Sequence, residues 1–219
     1  MRPRLVVCDD PAERAATHIA LAARASTERF HVAFSGGKTP WRMIDVLASL
    51  ELPWARLWAW QVDERVAPAW SEDRNATQLY ARLPSPACPQ PIPVDPVRDP
   101  SGDDAARDYG GSLRDAADGV LHLVHLGLGD DGHIASLFPG DPQLCGEDCD
   151  VVAVGPHLGY RRVTLTYGAL ARAGELIFLV TGASKRVRLA QLLDGDPAIP
   201  AGRIRHSRCV VYADRTAAP

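Results

Sequence analysis

The chain has no surplus of either charge, no long apolar run, no even set of cysteines and no internal repeat, and each absence removes a class of protein. Lysine and arginine number 24 against 27 aspartates and glutamates, a net charge of −3 at pH 7. Neutralising many phosphates needs a basic excess, so nucleic acid is not an expected partner. No segment approaches the length of a membrane span, and the stretch Met1 to Asp9 meets a charge after only a very short apolar run, without the core of a signal peptide. The expectation is a cytoplasmic protein with no membrane partner. Five cysteines, an odd number in a chain without an export signal, argue for reduced thiols rather than a disulfide frame. Cys145 and Cys149 lie close together but lack the paired spacing and histidine partners of a zinc site.

What is present is enough apolar material, 46% of 219 residues, to fill one sizeable core, and a single domain over residues 1–219 is expected. Short apolar runs alternate with amphipathic segments, the pattern of strands joined by crossover helices over a mostly parallel sheet flanked by helices. Strands are predicted at Leu5 to Val7, His31 to Ser35, Leu57 to Val62, Val120 to Leu126, Val151 to Val154, Arg162 to Thr166, Leu176 to Thr181 and Cys209 to Tyr212. Helices are predicted at Pro11 to Thr27, Trp41 to Leu50, Asn75 to Arg82, Asp103 to Ala117 and Ser184 to Leu193. Seven prolines between Pro84 and Pro100 rule out a helix interior or a central strand, because each removes a backbone donor and fixes φ. That segment reads as a stiff surface connection.

Four loops carry the residues that chemistry would need. Ser35-Gly36-Gly37-Lys38-Thr39-Pro40 stands between a strand and a helix start, where glycines let backbone N–H groups close on an anion and proline suits the first helical turn. This is a candidate phosphate cradle, set against a plain tight turn. A nucleotide P-loop would need a further glycine where Val32 stands. Asp63, Glu64 and Arg65 follow a strand; alone they read as a solvated charge run, and gain meaning only if other loops share their edge.

The third loop, Gly127-Leu128-Gly129-Asp130-Asp131-Gly132-His133, ends an apolar strand in a titratable group, which core packing does not require. Its glycines match the dinucleotide fingerprint, but Asp130 and Asp131 would face a pyrophosphate with like charge. A histidine there can carry a proton, with a carboxylate fixing its tautomer, so His133 is the candidate base and Asp131 its orienter. Asp130, Asp131 and His133 crowd into one loop and make no usual closed metal site. Arg161, Arg162 and, in the fourth loop, Lys185 supply cations near strand ends that could complete a phosphate site.

Ser35-Gly-Gly-Lys-Thr-Pro, Val62-Asp-Glu-Arg, Gly127-Leu-Gly-Asp-Asp-Gly-His-Ile-Ala-Ser-Leu-Phe-Pro, Arg162-Val-Thr-Leu-Thr and Gly182-Ala-Ser-Lys, in this order, resemble the 6-phosphogluconolactonase family. The resemblance runs from about Val32 to Leu189. It implies a three-layer α/β fold of Rossmann-like type, no metal or organic cofactor, and a small-molecule partner, a sugar-phosphate lactone, hydrolysed by a monomer or small homo-oligomer. By position it implies His133 as general base with Asp131 beside it, Arg65 on the substrate, and Gly36, Gly37, Lys38, Thr39, Arg162 and Lys185 around the phosphate. Lys38 stands where the family often has serine, and Val62 where glycine usually precedes Asp-Glu-Arg.

The related glucosamine-6-phosphate deaminases share Asp-Gly-His but then supply a further carboxylate, where this chain reads Ser136-Leu137-Phe138-Pro139. That difference favours ester hydrolysis over amine chemistry. Ser35 and Ser136 lie in these loops, yet neither sits in a Gly-x-Ser-x-Gly elbow, so no nucleophilic serine is expected. A non-catalytic sugar-phosphate sensor would need a DNA-binding module, for which the stretches before Val32 and after Tyr212 leave no room.

Overall fold

Four strands are buried at every position: Phe30–Phe34, Leu123–Leu126, Leu176–Val180 and Cys209–Ala213. Strands covered on both faces belong to the interior of a parallel sheet. The computed structural model describes residues 2–141 and 149–219. In chain order its elements are β1 (Arg4–Val7), α1 (Pro11–Ala25), β2 (Phe30–Phe34), α2 (Lys38–Ala48), β3 (Leu57–Gln61), β4 (Asp63–Arg65), α3 (Asn75–Arg82) and β5 (Cys88–Gln90). They continue with α4 (Asp103–Ala117), β6 (Leu123–Leu126), β7 (Val151–His157), β8 (Tyr160–Leu165), α5 (Tyr167–Arg172), β9 (Leu176–Val180), α6 (Arg186–Asp194) and β10 (Cys209–Ala213). A seven-stranded sheet runs β1-β10-β9-β6-β2-β3-β5, and every neighbouring pair in it is parallel.

Helices cover both faces. Asp10 caps α1 by accepting the Glu13 N–H at 3.1 Å, and Pro11 opens the helix; Ala12, Ala15, Ala16, Ile19, Ala20 and Ala23 recur at helical spacing and are buried. Their face packs with Met43, Ile44 and Leu47 of α2 on one side of the sheet. On the other side, Tyr109 and Leu113 of α4 and Leu189, Leu192 and Leu193 of α6 form the second half of the core. No helix of the described residues is long and apolar enough to cross a membrane.

The structure departs from the sequence reading in four places. Val151 to Val154 and Arg162 to Thr166 do not join the parallel sheet. As β7 and β8 they form a hairpin, turned at Leu158 and Gly159 with positive φ at both residues, and pair with β4 in a separate antiparallel sheet, β4-β8-β7. Positive φ at both central positions matches the twist of a tight hairpin. The Pro84 to Pro100 stretch is not only a surface connection: it contains β5, pairing Cys88, Pro89 and Gln90 with Trp58, Ala59 and Trp60 at the sheet edge, a place where prolines are tolerated. Ile92 beyond it is fully buried. The short helix α5 was absent from the expected elements. Val120 is 41% exposed and precedes β6 rather than opening it. Of the cysteines, Cys145 lies outside the described residues, and the four described ones are free thiols.

Two buried histidines make the fold acid-sensitive. His125, in β6, is fully buried, and neither ring nitrogen has a hydrogen-bond partner among the described residues; burial pushes its pKa down to about 3. His31, in β2, accepts the indole N–H of Trp60 at 3.0 Å, and burial, with the charges of His122 and Arg29, lowers its pKa to about 4. Both folded values lie below the unfolded 6.5. Stability is therefore complete above that value and falls as the pH drops from about 6.5 toward 4, where only the unfolded chain takes up these protons. Each histidine contributes a slope of about 1.4 kcal/mol per pH unit. Urea unfolding at a series of pH values should give this decline, and His125→Leu should remove about one proton from it; an equal slope in that variant would contradict the assignment.

Candidate active site

β2 leads through α2 to β3 on one side, whereas its other neighbour is β6, from which the sheet continues to β9 and β10. The strand order reverses between β2 and β6, and open α/β sheets bind ligands in the crevice outside the carboxyl ends of strands at such a point. A cavity of about 330 Å³ lies there, lined by Ser35 to Pro40 after β2, Gly127 to Asp130 and His133 to Ala135 after β6, and Thr181 and Lys185 after β9. Asp63, Arg65, Asn75 and Arg162 line it from the small antiparallel sheet and the start of α3. Residues from three turns at strand ends, from the small sheet and from the start of α3 thus meet in a space suited to a small molecule.

His133 Nδ1 lies 2.6 Å from Asp131 Oδ1, and that same oxygen accepts the His133 backbone N–H at 3.0 Å. Burial opposes ionisation of Asp131, but the backbone bond, the charge and the ring bond of His133 outweigh it and hold the carboxyl below its usual range. An ionised carboxylate only accepts hydrogen bonds, so Nδ1 carries the ring proton and Nε2 presents a lone pair. The Phe138 ring backs the imidazole at 4.6 Å between centroids, and His157 stacks on Phe138 in turn at 3.6 Å. Gly129 makes room for this pair. A Cβ there would stand 2.1 Å from His133 Nδ1 and 2.7 Å from Asp131 Oδ1.

The cradle after β2 has a similar constraint. A Cβ on Gly36 would come within 1.9 Å of Asn75 Oδ1, so glycine lets the turn pass beneath that amide. Gly37 starts α2 without a side-chain cap, which leaves the first N–H groups of the helix at the cavity wall. Thr39 Oγ1 bonds to Thr181 Oγ1 at 3.0 Å, joining the loops after β2 and β9. Lys38 lines the cavity with no ion-pair partner among the described residues.

The charged residues separate clearly. Asp63, Glu64 and Arg65 are not a solvated run but strand β4, in which alternation sends Asp63 and Arg65 to the cavity and Glu64 away from it. Glu64 is fully buried and accepts the N–H groups of Arg65, Asn75 and Ala76 and the Gln61 amide, each at 2.8 Å. It thereby caps α3, which removes it from the candidate site. Arg161 donates to Ser101 O at 2.8 Å on the far side, while Arg162, 6% exposed, lines the cavity with its Nε unpartnered among the described residues. Asp130 is engaged by Lys185 Nζ at 2.7 Å and by the Ser184 hydroxyl at 3.1 Å, so both ends of that ion pair sit at the rim. Among the described residues no three His, Cys, Asp or Glu side chains could hold a metal ion.

Asn75, Thr181 and Phe138 were not singled out from the sequence. Each is an ordinary residue for its element, and only the approach of another loop makes it a neighbour of the site. The family model for glucosamine-6-phosphate isomerases/6-phosphogluconolactonase matches residues 7–212. The chain belongs to this family. Within the glucosamine-6-phosphate isomerase/6-phosphogluconolactonase family it is 35% identical over 190 residues to the 6-phosphogluconolactonase of Caulobacter vibrioides, an alignment covering 80% of this chain and 78% of that one. It is 36% identical over 174 residues to that of Nostoc, covering 75% and 71%. The crystal structure of 6-phosphogluconolactonase from Thermotoga maritima superposes with a TM-score of 0.84 at 26% identity, covering 97% of this chain and 99% of that one.

Proposed function

We propose that this chain hydrolyses 6-phospho-D-glucono-1,5-lactone to 6-phospho-D-gluconate, the lactone-opening step of the oxidative pentose phosphate pathway, in the cytoplasm and as one domain. The observation that carries the reading is the meeting, in one cavity, of His133, held by Asp131, with Arg162, whose Nε has no hydrogen-bond partner among the described residues, and the open start of α2. His133 Nε2 takes a proton from water as the water attacks the lactone carbonyl, and returns it to the ring oxygen that leaves when the ester bond breaks. Arg162, Lys38 and the N–H groups after Gly36 hold the phosphate, and Arg65 contacts the sugar. Lys185 joins them once the phosphate competes with Asp130. Binding at the phosphorylated end is remote from the carbonyl and serves to hold that carbon beside the water.

Amine chemistry is disfavoured at Phe138, which stands where the deaminases' Ile-Ala-Phe-Asn-Glu-Pro carries its further carboxylate. An aromatic ring lies there against the His133 imidazole, 4.6 Å between centroids, so this position supplies no carboxylate. Generating the phosphorylated lactone enzymatically and following its decay tests the reading. The protein should accelerate decay well above the spontaneous rate and release no ammonia from glucosamine 6-phosphate. Decay at the spontaneous rate, or ammonia release, would overturn it.

A further inference from the structure

We propose that Ser136 and Asp63 are positioning residues that keep Arg162 open toward the substrate phosphate and tie that cation to the loop carrying His133. This inference rests on the lactonase reading above. In the β4–β8 pairing, Asp63 lies opposite Thr164 and Arg65 opposite Arg162. Directly opposed residues share a face, so two guanidinium stems stand side by side, an arrangement that is repulsive unless an anion is near. Asp63, two residues from Arg65, shares that face and supplies one negative charge for the two cations.

The geometry of that carboxylate is specific. Asp63 Oδ2 is 3.8 Å from Arg162 NH1, too far for a hydrogen bond, so it holds the guanidinium by charge without consuming its donors. A carboxylate free to turn would close on Arg162 in a bidentate pair and compete with phosphate. Ser136 prevents this by donating its hydroxyl to Asp63 Oδ2 at 2.6 Å, while Asn75 Nδ2 reaches Oδ1 at 3.4 Å. The serine is itself locked. Its N–H donates to Thr164 Oγ1 at 3.1 Å, and the Thr164 hydroxyl donates onward to Leu165 O at 3.2 Å. Among the described residues Arg162 is left with one hydrogen bond, NH2 to His157 O at 3.3 Å, and a buried Nε without a partner. Because Ser136 stands three residues after His133, one hydroxyl connects the phosphate cation to the catalytic loop.

The test is a mutant cycle read on the split between KM and kcat. Ser136→Ala should raise KM for the phosphorylated lactone about tenfold and leave kcat within about threefold of wild type, since phosphate grip and not proton transfer is lost. In an Arg162→Lys background, where the fork is already gone, the same substitution should change KM by less than about twofold, the non-additivity of residues acting through one another. Ser136→Cys, whose thiol is only a weak donor and so releases the same carboxylate, should follow the same pattern and serves if Ser136→Ala does not fold. Wild-type KM in the single variants, an equal KM change in both backgrounds, or a loss confined to kcat would overturn the proposal. If the wild-type protein left the lactone untouched, the lactonase reading would fall instead. The cycle would then be read by calorimetry on the affinity for inorganic phosphate, where coupling sustains the inference and additivity ends it.

Discussion

Replacing His133 with glutamine is expected to lower kcat for the phosphorylated lactone by about 10²–10⁴-fold, the usual worth of a positioned general base. Glutamine retains polarity and approximate length, so the cavity keeps its shape, but its amide accepts no proton at neutral pH. The group acts as the water is deprotonated and contributes little to holding the ground state, so KM should stay within about threefold of wild type. Steady-state kinetics on enzymatically generated lactone, corrected for spontaneous decay, provide the measurement. A variant with undiminished kcat would remove His133 from the role of base. The Asp131–His133 distance of 2.6 Å and the low-lying Asp131 carboxyl are the reasons for placing the basic lone pair on Nε2 rather than Nδ1.

Arg162→Ala is expected to act on both affinity and stability. Losing a charge-assisted contact to phosphate costs about 1.5–3 kcal/mol, so KM should rise roughly 10–100-fold with kcat less affected. Asp63, only 6% exposed, would lose its nearest cation. Uncompensated buried charge makes breaking such a pair costly, and about 3 kcal/mol of folding stability should disappear. Arg162→Lys separates the two effects: it restores the charge and most of the stability, but a lysine lacks the planar fork, so KM stays raised. Urea unfolding and substrate saturation curves on both variants check the pair of outcomes, and a wild-type KM in Arg162→Ala would detach this residue from the phosphate.

Much of the fold was legible because periodicity is a local signal. Continuous apolar runs marked β2, β6, β9 and β10, and an amphipathic segment marked α1, expected from Pro11 to Thr27 and ending at Ala25. The edge strand Cys88–Gln90 was hidden because proline content argues against strands in general, while an edge position relaxes that rule. β4 was hidden because three charged residues look solvated until a second sheet covers them.

By itself the sequence determined the alternation of strands and helices, the glycine turns that place backbone donors beside α2, and the Asp131–His133 pair, all of which depend on residues near one another along the chain. The tertiary structure decided who faces whom. Glu64 left the site and capped α3, Arg162 rather than Arg161 entered the cavity, and Lys185 found Asp130. Ser136, without a role in the sequence reading, reached across to Asp63. These outcomes depend on the order of strands in the sheet and on the register of β4 against β8, which bring together residues about a hundred or more positions apart. Spacing within a segment fixes which face a side chain takes, but the partner on that face is supplied by another part of the chain.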